Sequence, residues 1–158
     1  SMTSLTDQPK NMNFLTDVQF RFDIQKLPHV SFFIQQVTIP GVTLQTQQIG
    51  VPMRSGFGRH TGVVEFSPMT IMFLVDEYLK NWQEVFDWIV SQPEEYSPAV
   101  LTVLSSSMNP TMELHFQEMF PTDISEITFD STVGEPTHIQ ASATFNYTEF
   151  TIKNLLNT

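Results

Sequence analysis

The sequence HIQASATFNYTEF, residues 138–150, alternates along its whole length: Ile139, Ala141, Ala143, Phe145 and Tyr147 fall on one side, Gln140, Ser142, Thr144, Asn146 and Thr148 on the other. A period of two marks a strand with one buried face, and this one is longer than the common strand. Its two alanines are small enough to let a neighbouring element approach closely. Toward the N-terminus the pattern recurs. Val18, Phe20, Phe22 and Ile24 oppose Gln19, Arg21, Asp23 and Gln25, a strand that stops at Leu27-Pro28-His29 because proline cannot continue a central ladder. Val30 to Thr38 reads as a second strand with an irregularity near Gln35-Gln36, and Val42 to Ile49 as a third. Pro40-Gly41 between them is a turn signal and predicts a hairpin of the second and third strands.

Val63–Phe66, Met69–Val75, Ala99–Leu104, Met112–Phe116 and Ile124–Phe129 add further strands, with turns at 105–110, at Phe120-Pro121-Thr122 and at 131–136. Met69–Val75 is apolar apart from Thr70, as expected of a strand covered on both faces. One segment has a different period. Leu79, Trp82, Val85, Phe86 and Ile89 form a helical stripe. Asp76 stands where an N-cap is needed, and Glu77 follows in the first turn. Trp82, Phe86 and Trp88 are expected to pack this helix, which ends at Gln92-Pro93 before an acidic, proline-bounded linker over 93–98. The expected fold is mainly β, a β-sandwich or partly closed antiparallel barrel, with eight or nine strands and one flanking α-helix. Ser1 before Met2 reads as a cleavage scar; residues 1–13 read as a flexible N-terminal segment and 14–158 as a single domain.

Composition bounds the function. With 41% hydrophobic residues in 158, the chain can build one core, which excludes wholesale disorder. It has no cysteine, so disulfides, thiolate metal sites and thiol catalysis are excluded. No apolar run is long enough for a membrane-spanning helix, and the polar start SMTSLTDQPKNMN lacks the apolar stretch of a signal peptide. Residues 1–75 carry a net charge of +1 and residues 76–158 a net charge of −11. Such acidity repels phosphate backbones and argues against nucleic-acid binding by counterion release.

Catalytic and metal signatures are weak. His29, His60, His115 and His138 are scattered, with no i, i+4 ligand pair. Gly56-Phe57-Gly58 opens like a dinucleotide fingerprint, but the next glycine is Gly62, one position late, and no helix follows. Glu113, Glu118, Asp123 and Glu126 could supply paired acids, as could any acidic β-protein. No cofactor is expected. The stretch GVPMRSGFGRHTG, residues 50–62, is the least regular, with four glycines and one proline. It predicts a long loop or a flexible hairpin, and loops of that length inside a domain are usually functional or disordered. Met53 and Phe57 in it are apolar and suited to docking, or to holding the segment down as a packed flap.

Five stretches in chain order carry a family resemblance: FRFDIQKLPHVSFFIQQVTIPGVTL (Phe20–Leu44), loop 50–62 followed by VVEFSPMTIMFLVDE (Val63–Glu77), the helix with Phe86-Asp87-Trp88, MELHFQEMFPTDISEITFD (Met112–Asp130), and the closing FNYTEF (Phe145–Phe150). Together they cover more than half of the chain. The set resembles the tail-tube family of long-tailed bacteriophages, contractile ones above all, including tube-initiator, terminator and completion proteins. The resemblance implies a structural virion protein made in the bacterial host cytoplasm. It implies hexameric rings that stack into a tube, with DNA passing through the lumen without specific binding. Implied partners are further copies of the chain and other tail proteins (sheath, tube initiator or terminator, baseplate), with no membrane. Pro40, Gly41, Met53, Arg54, Phe57, Arg59 and His60 are then expected at inter-subunit or inter-ring contacts. A β-sandwich module that binds a glycan or receptor is the rival reading, and an enzyme the third.

Overall fold

The computed structural model describes residues 18–49, 59–91, 95–130 and 138–156, with the backbone alone at 47–49 and 59–61. The N-terminal segment 1–13 and the loop residues Met53, Arg54 and Phe57 lie outside the described residues. In chain order the elements are β1 (Gln19–Ile24), β2 (Phe33–Thr38), β3 (Val42–Ile49), β4 (Arg59–Phe66), β5 (Met69–Leu74), α1 (Lys80–Ser91), β6 (Ser97–Leu104), β7 (Pro110–Ile124), β8 (Gln140–Asn146) and β9 (Glu149–Asn154). All ladders are antiparallel. The main sheet runs β1-β6-β7-β8-β5-β2, with β9 also on β7; β3 and β4 pair only with each other. The path opens at β1 and ends at β2, and these two strands border a cleft of about 420 Å³, so the barrel is incomplete.

Strand β7 explains the layering. It is 15 residues long and bends where Glu118 takes a left-handed backbone, φ 52°. Before the bend β7 lies between β6 and β9; beyond it, β8 takes over. Opposite the bend the chain breaks its ladder at Tyr147-Thr148, and Thr148 N–H donates to Gln117 O at 3.0 Å. Gln117 faces Glu149 on one side of the bend and Phe120 faces Asn146 on the other, so both strands advance three residues and no register is lost. The single strand expected over 138–150 is therefore a strand folded over a corner.

The alternation read from the sequence sets the core. Phe22 and Ile24 of β1, Met69, Ile71 and Phe73 of β5, Ala99, Leu101 and Val103 of β6, Leu114 and Phe116 of β7, and Ala141, Ala143 and Phe145 of β8 are buried. Phe22 meets Phe145 edge-on at 5.6 Å and Phe32 meets Phe73 at 5.3 Å, favourable aromatic geometries. Helix α1 covers this core with Val85 and Trp88. Its buried line is Asn81, Val85 and Trp88, while Trp82 and Ile89 are half-buried and Phe86 is exposed. Asp76 caps the helix from outside it: its carboxylate accepts from the N–H groups of Lys80 and Asn81, and Leu79 between them has φ 58°.

Five expectations are corrected or narrowed. Pro40-Gly41 does not reverse the chain: β2 pairs β5 and β3 pairs β4, so no hairpin joins the second and third strands. Residues 59–62 belong to β4 and pair with β3, so this end of the 50–62 stretch follows the hairpin reading and not the loop reading. Phe120-Pro121-Thr122 continues β7 instead of turning; Pro121 stands beside a register shift, where a missing N–H is tolerated. Beyond Ile124 the chain to Asp130 forms no ladder, and Phe129 is exposed. Strand β5 buries one face only, Thr70, Met72 and Leu74 being half-buried.

Candidate functional site

The β3–β4 hairpin is the part of the molecule least accounted for by its own packing. Val42 pairs with Phe66 and Leu44 with Val64, so these four share one face. Phe66 is half-buried, but Val42, Leu44 and Val64 are 53%, 58% and 52% exposed. Gly62 lies diagonally from Leu44 on that face; a Cβ there would come within 2.5 Å of Leu44 Cδ1, so the missing side chain lets Leu44 lie flat. The opposite face is bound by Gln45 Nε2, which donates to Glu65 at 2.8 Å. A two-stranded hairpin is marginal in water unless its apolar face is covered, and nothing among the described residues covers this one.

The hairpin continues β2 and β5 through a hinge. Thr38 pairs with Thr70 before it and Val42 with Phe66 after it, so each strand advances four residues without slipping. Pro40, which is buried, and Gly41, whose absent Cβ would meet nothing within 4 Å, form one side. Ser67 and Pro68 form the other, and Ser67 N–H donates to Gly41 O at 3.0 Å. Pro40 and Pro68 have no N–H with which to continue the ladder, which separates arm from body.

The hinge rests on the corner of β7. Tyr147 O–H donates to Ser67 O at 2.7 Å. The rings of Phe66, Phe116, Tyr147 and Phe150 form one aromatic cluster, with Phe66 5.9 Å from Tyr147 and 5.5 Å from Phe150. Burial pushes the Tyr147 hydroxyl up to about 12, so it stays a neutral donor through the physiological range.

The residues expected at contacts fall as follows. Pro40 and Gly41 are in the hinge, and Arg59 and His60 begin β4, their side chains outside the described residues, as are Met53, Arg54 and Phe57. Trp82 Nε1 donates to Ser125 O at 2.9 Å and stacks on Phe86 at 5.3 Å; Trp88 Nε1 donates to Glu95 O at 2.8 Å. Leu44 and Val64 are not singled out by sequence reading, which names Glu118 only among several acids and Tyr147 only within an alternating strand. The first two show only as alternation, and the bend at Glu118 leaves no signal because a left-handed backbone on a non-glycine residue has no pattern. Among the described residues no cluster of three or more His, Asp or Glu is placed to hold a metal ion.

No protein-family model matches the chain. It is 26% identical over 133 residues to the tail tube terminator protein of Enterobacteria phage T4, covering 75% of this chain and 76% of that protein. Among solved structures, the six-fold symmetrised baseplate of the anti-feeding prophage contains a chain that superposes with a TM-score of 0.68 at 10% identity, over 93% of this chain and 99% of that one. The tube terminating cap of the same prophage gives 0.65 at 13% identity, over 94% and 95%. These solved structures share the fold. Sequence likeness and shared fold both point to the phage tail tube and tube-terminator proteins as what this chain resembles.

Proposed function

We propose that the chain closes one end of a phage tail tube as a ring of identical subunits, six by analogy with the six-fold baseplate structure. The likeness to a phage tail tube terminator carries this reading, and the likeness to a terminating cap supports it. The arm supplies the means of assembly. Its apolar face of Val42, Leu44 and Val64 docks on a neighbouring copy or ring, and Pro40 and Gly41 set its direction. Met53, Arg54, Phe57, Arg59 and His60, at or beside its tip in the sequence, complete the contact. Sheath, tube and baseplate proteins are the further partners, the virion is the place of action, and the role is structural rather than catalytic.

The sheet formed by β2, β5 and β8 suits a DNA passage. FIQQVT, MTIMFL and QASATFN contain no charged residue. Outward they present Gln36, Thr38, Thr70, Met72, Ser142 and Thr144, with Thr70 and Thr144 hydroxyls 3.1 Å apart. A face without Lys or Arg has no cation to hold phosphates. Gold-labelled antibody against the chain on intact virions tests the reading. Label at one tube end is expected; label along the tube would identify a main tube subunit instead.

A further inference from the structure

We infer that the corner between arm and body is a receiving site for a cationic side chain, arginine or lysine, of a partner protein. The cleft holds about 410 Å³, and its lining includes Phe66, Tyr96, Glu118, Phe120, Tyr147 and Thr148. Four of these are aromatic. Tyr96 lies 5.2 Å from Phe120, and Phe66 5.9 Å from Tyr147, so the rings form two paired walls. A guanidinium or ammonium between ring faces gains cation–π attraction.

Charge selects the occupant. The one ionisable carboxylate of the lining is Glu118, exposed and without an ion pair among the described residues. Its position is unusual: a glutamate holds φ 52°, a backbone that glycine or asparagine adopts at lower cost. The Tyr147 hydroxyl already spends its proton on Ser67 O, which leaves only its acceptor lone pairs to the cleft. Lys26, which follows β1, is committed elsewhere, bridging Glu95 and lying 5.8 Å over Trp88. The lining therefore offers π faces, a carboxylate and acceptor oxygens, and no Lys or Arg. An anion is repelled, and a neutral amide forgoes the charge. The inference stands independently of the tube-end reading, because it rests on this lining alone.

The test is an NMR titration of the full ¹⁵N-labelled chain with Nα-acetyl-arginine amide, and with its neutral isostere Nα-acetyl-citrulline amide. Saturable shifts at Tyr96, Glu118 and Thr148 with the arginine probe, and a much weaker response to citrulline, are expected. Glu118→Gln and Tyr96→Ala, both at exposed positions, should each weaken the arginine probe about two- to five-fold, the range for a part-exposed ion pair or ring contact. Equal responses to the two probes, no saturable shift at the corner, or unchanged binding in both variants would overturn the inference. So would corner shifts that grow with protein concentration without any probe, since the corner would then be a face between copies.

Discussion

The Tyr147 hydroxyl donates to the carbonyl of Ser67 at 2.7 Å, joining the corner of the body to the hinge of the arm. The ring beneath it packs on Phe66, the last residue of β4. One residue of the β8–β9 break thus fixes both the hinge strand and the root of the arm.

Tyr147→Phe keeps the ring and removes the donor. The expected cost is about 1 kcal/mol, read by urea denaturation, with faster amide exchange in β3 and β4 than in β5 or β8. The wild type also has an alkaline limb that the variant lacks. The hydroxyl is raised from its ordinary 10.0 to about 12 by burial, so below pH 10 the tyrosine is protonated in both folded and unfolded chains. Between pH 10 and about 12 the unfolded chain loses the proton while the folded chain keeps it, and this contribution to stability falls as pH rises. Equal alkaline midpoints for the two proteins would contradict this.

The arm separates folding from assembly. Leu44→Asp changes an exposed side chain and should shift the monomer's stability by no more than about 0.5 kcal/mol, while abolishing self-association measured by light scattering. Gly62→Ala is subtler. The new methyl displaces only the flexible end of Leu44, so thermal stability should hold or rise slightly, yet the apolar face is no longer flat and association should weaken. Both variants are read by melting temperature and by mass at matched concentration.

Asn81 is fully buried in the first turn of α1. Its Nδ2 donates to Leu74 O at 2.9 Å and more weakly to Ser31 O at 3.4 Å, while Oδ1 accepts from Trp82 N–H at 2.8 Å and Asp76 N–H at 3.2 Å. Asn81→Ala leaves these buried groups without partners and should cost about 2–4 kcal/mol in chemical denaturation. A loss under about 1 kcal/mol would show that water replaces the amide.

The uncharged sheet predicts a gain of binding. Gln36 is exposed on the outward face of β2, and Gln36→Lys would add a cation there in every subunit. If that face lines the passage, assembled variant should retain linear DNA at low salt and release it as salt rises, while wild type shows no retention in the same mobility-shift assay. Retention by neither protein would place the face elsewhere.

What could be read from the sequence follows the physics of side-chain patterning. Phe22, Ile24, Leu114, Phe116, Ala141, Ala143 and Phe145 announce their burial by alternation, because one face of a sheet must leave water. The bulge near Gln35-Gln36 is visible for the same reason, since the apolar phase slips there and the register shifts between Ile34 and Gln36. Pairing is less legible. Pro40-Gly41 has the chemistry of a turn but serves as a hinge within an extended ribbon, a choice fixed by the distant partners β4 and β5. The helix is recognisable, but its start is displaced from Asp76 to Lys80, because Asp76 caps across a turn whose Leu79 has φ 58°. The corner at Glu118 and Tyr147 depends on backbone geometry and on residues far apart in sequence, so neither the cleft nor the arm's exposed face has a local motif.

A chain that closes a tube should self-assemble and then stop. Light scattering of the purified protein at increasing concentration, with negative-stain images of the same fractions, tests it most directly. A single plateau mass corresponding to discrete six-fold rings is expected, with ring formation prevented by Leu44→Asp. Tubes that lengthen with concentration, or a monomer that persists at the highest concentration, would contradict it.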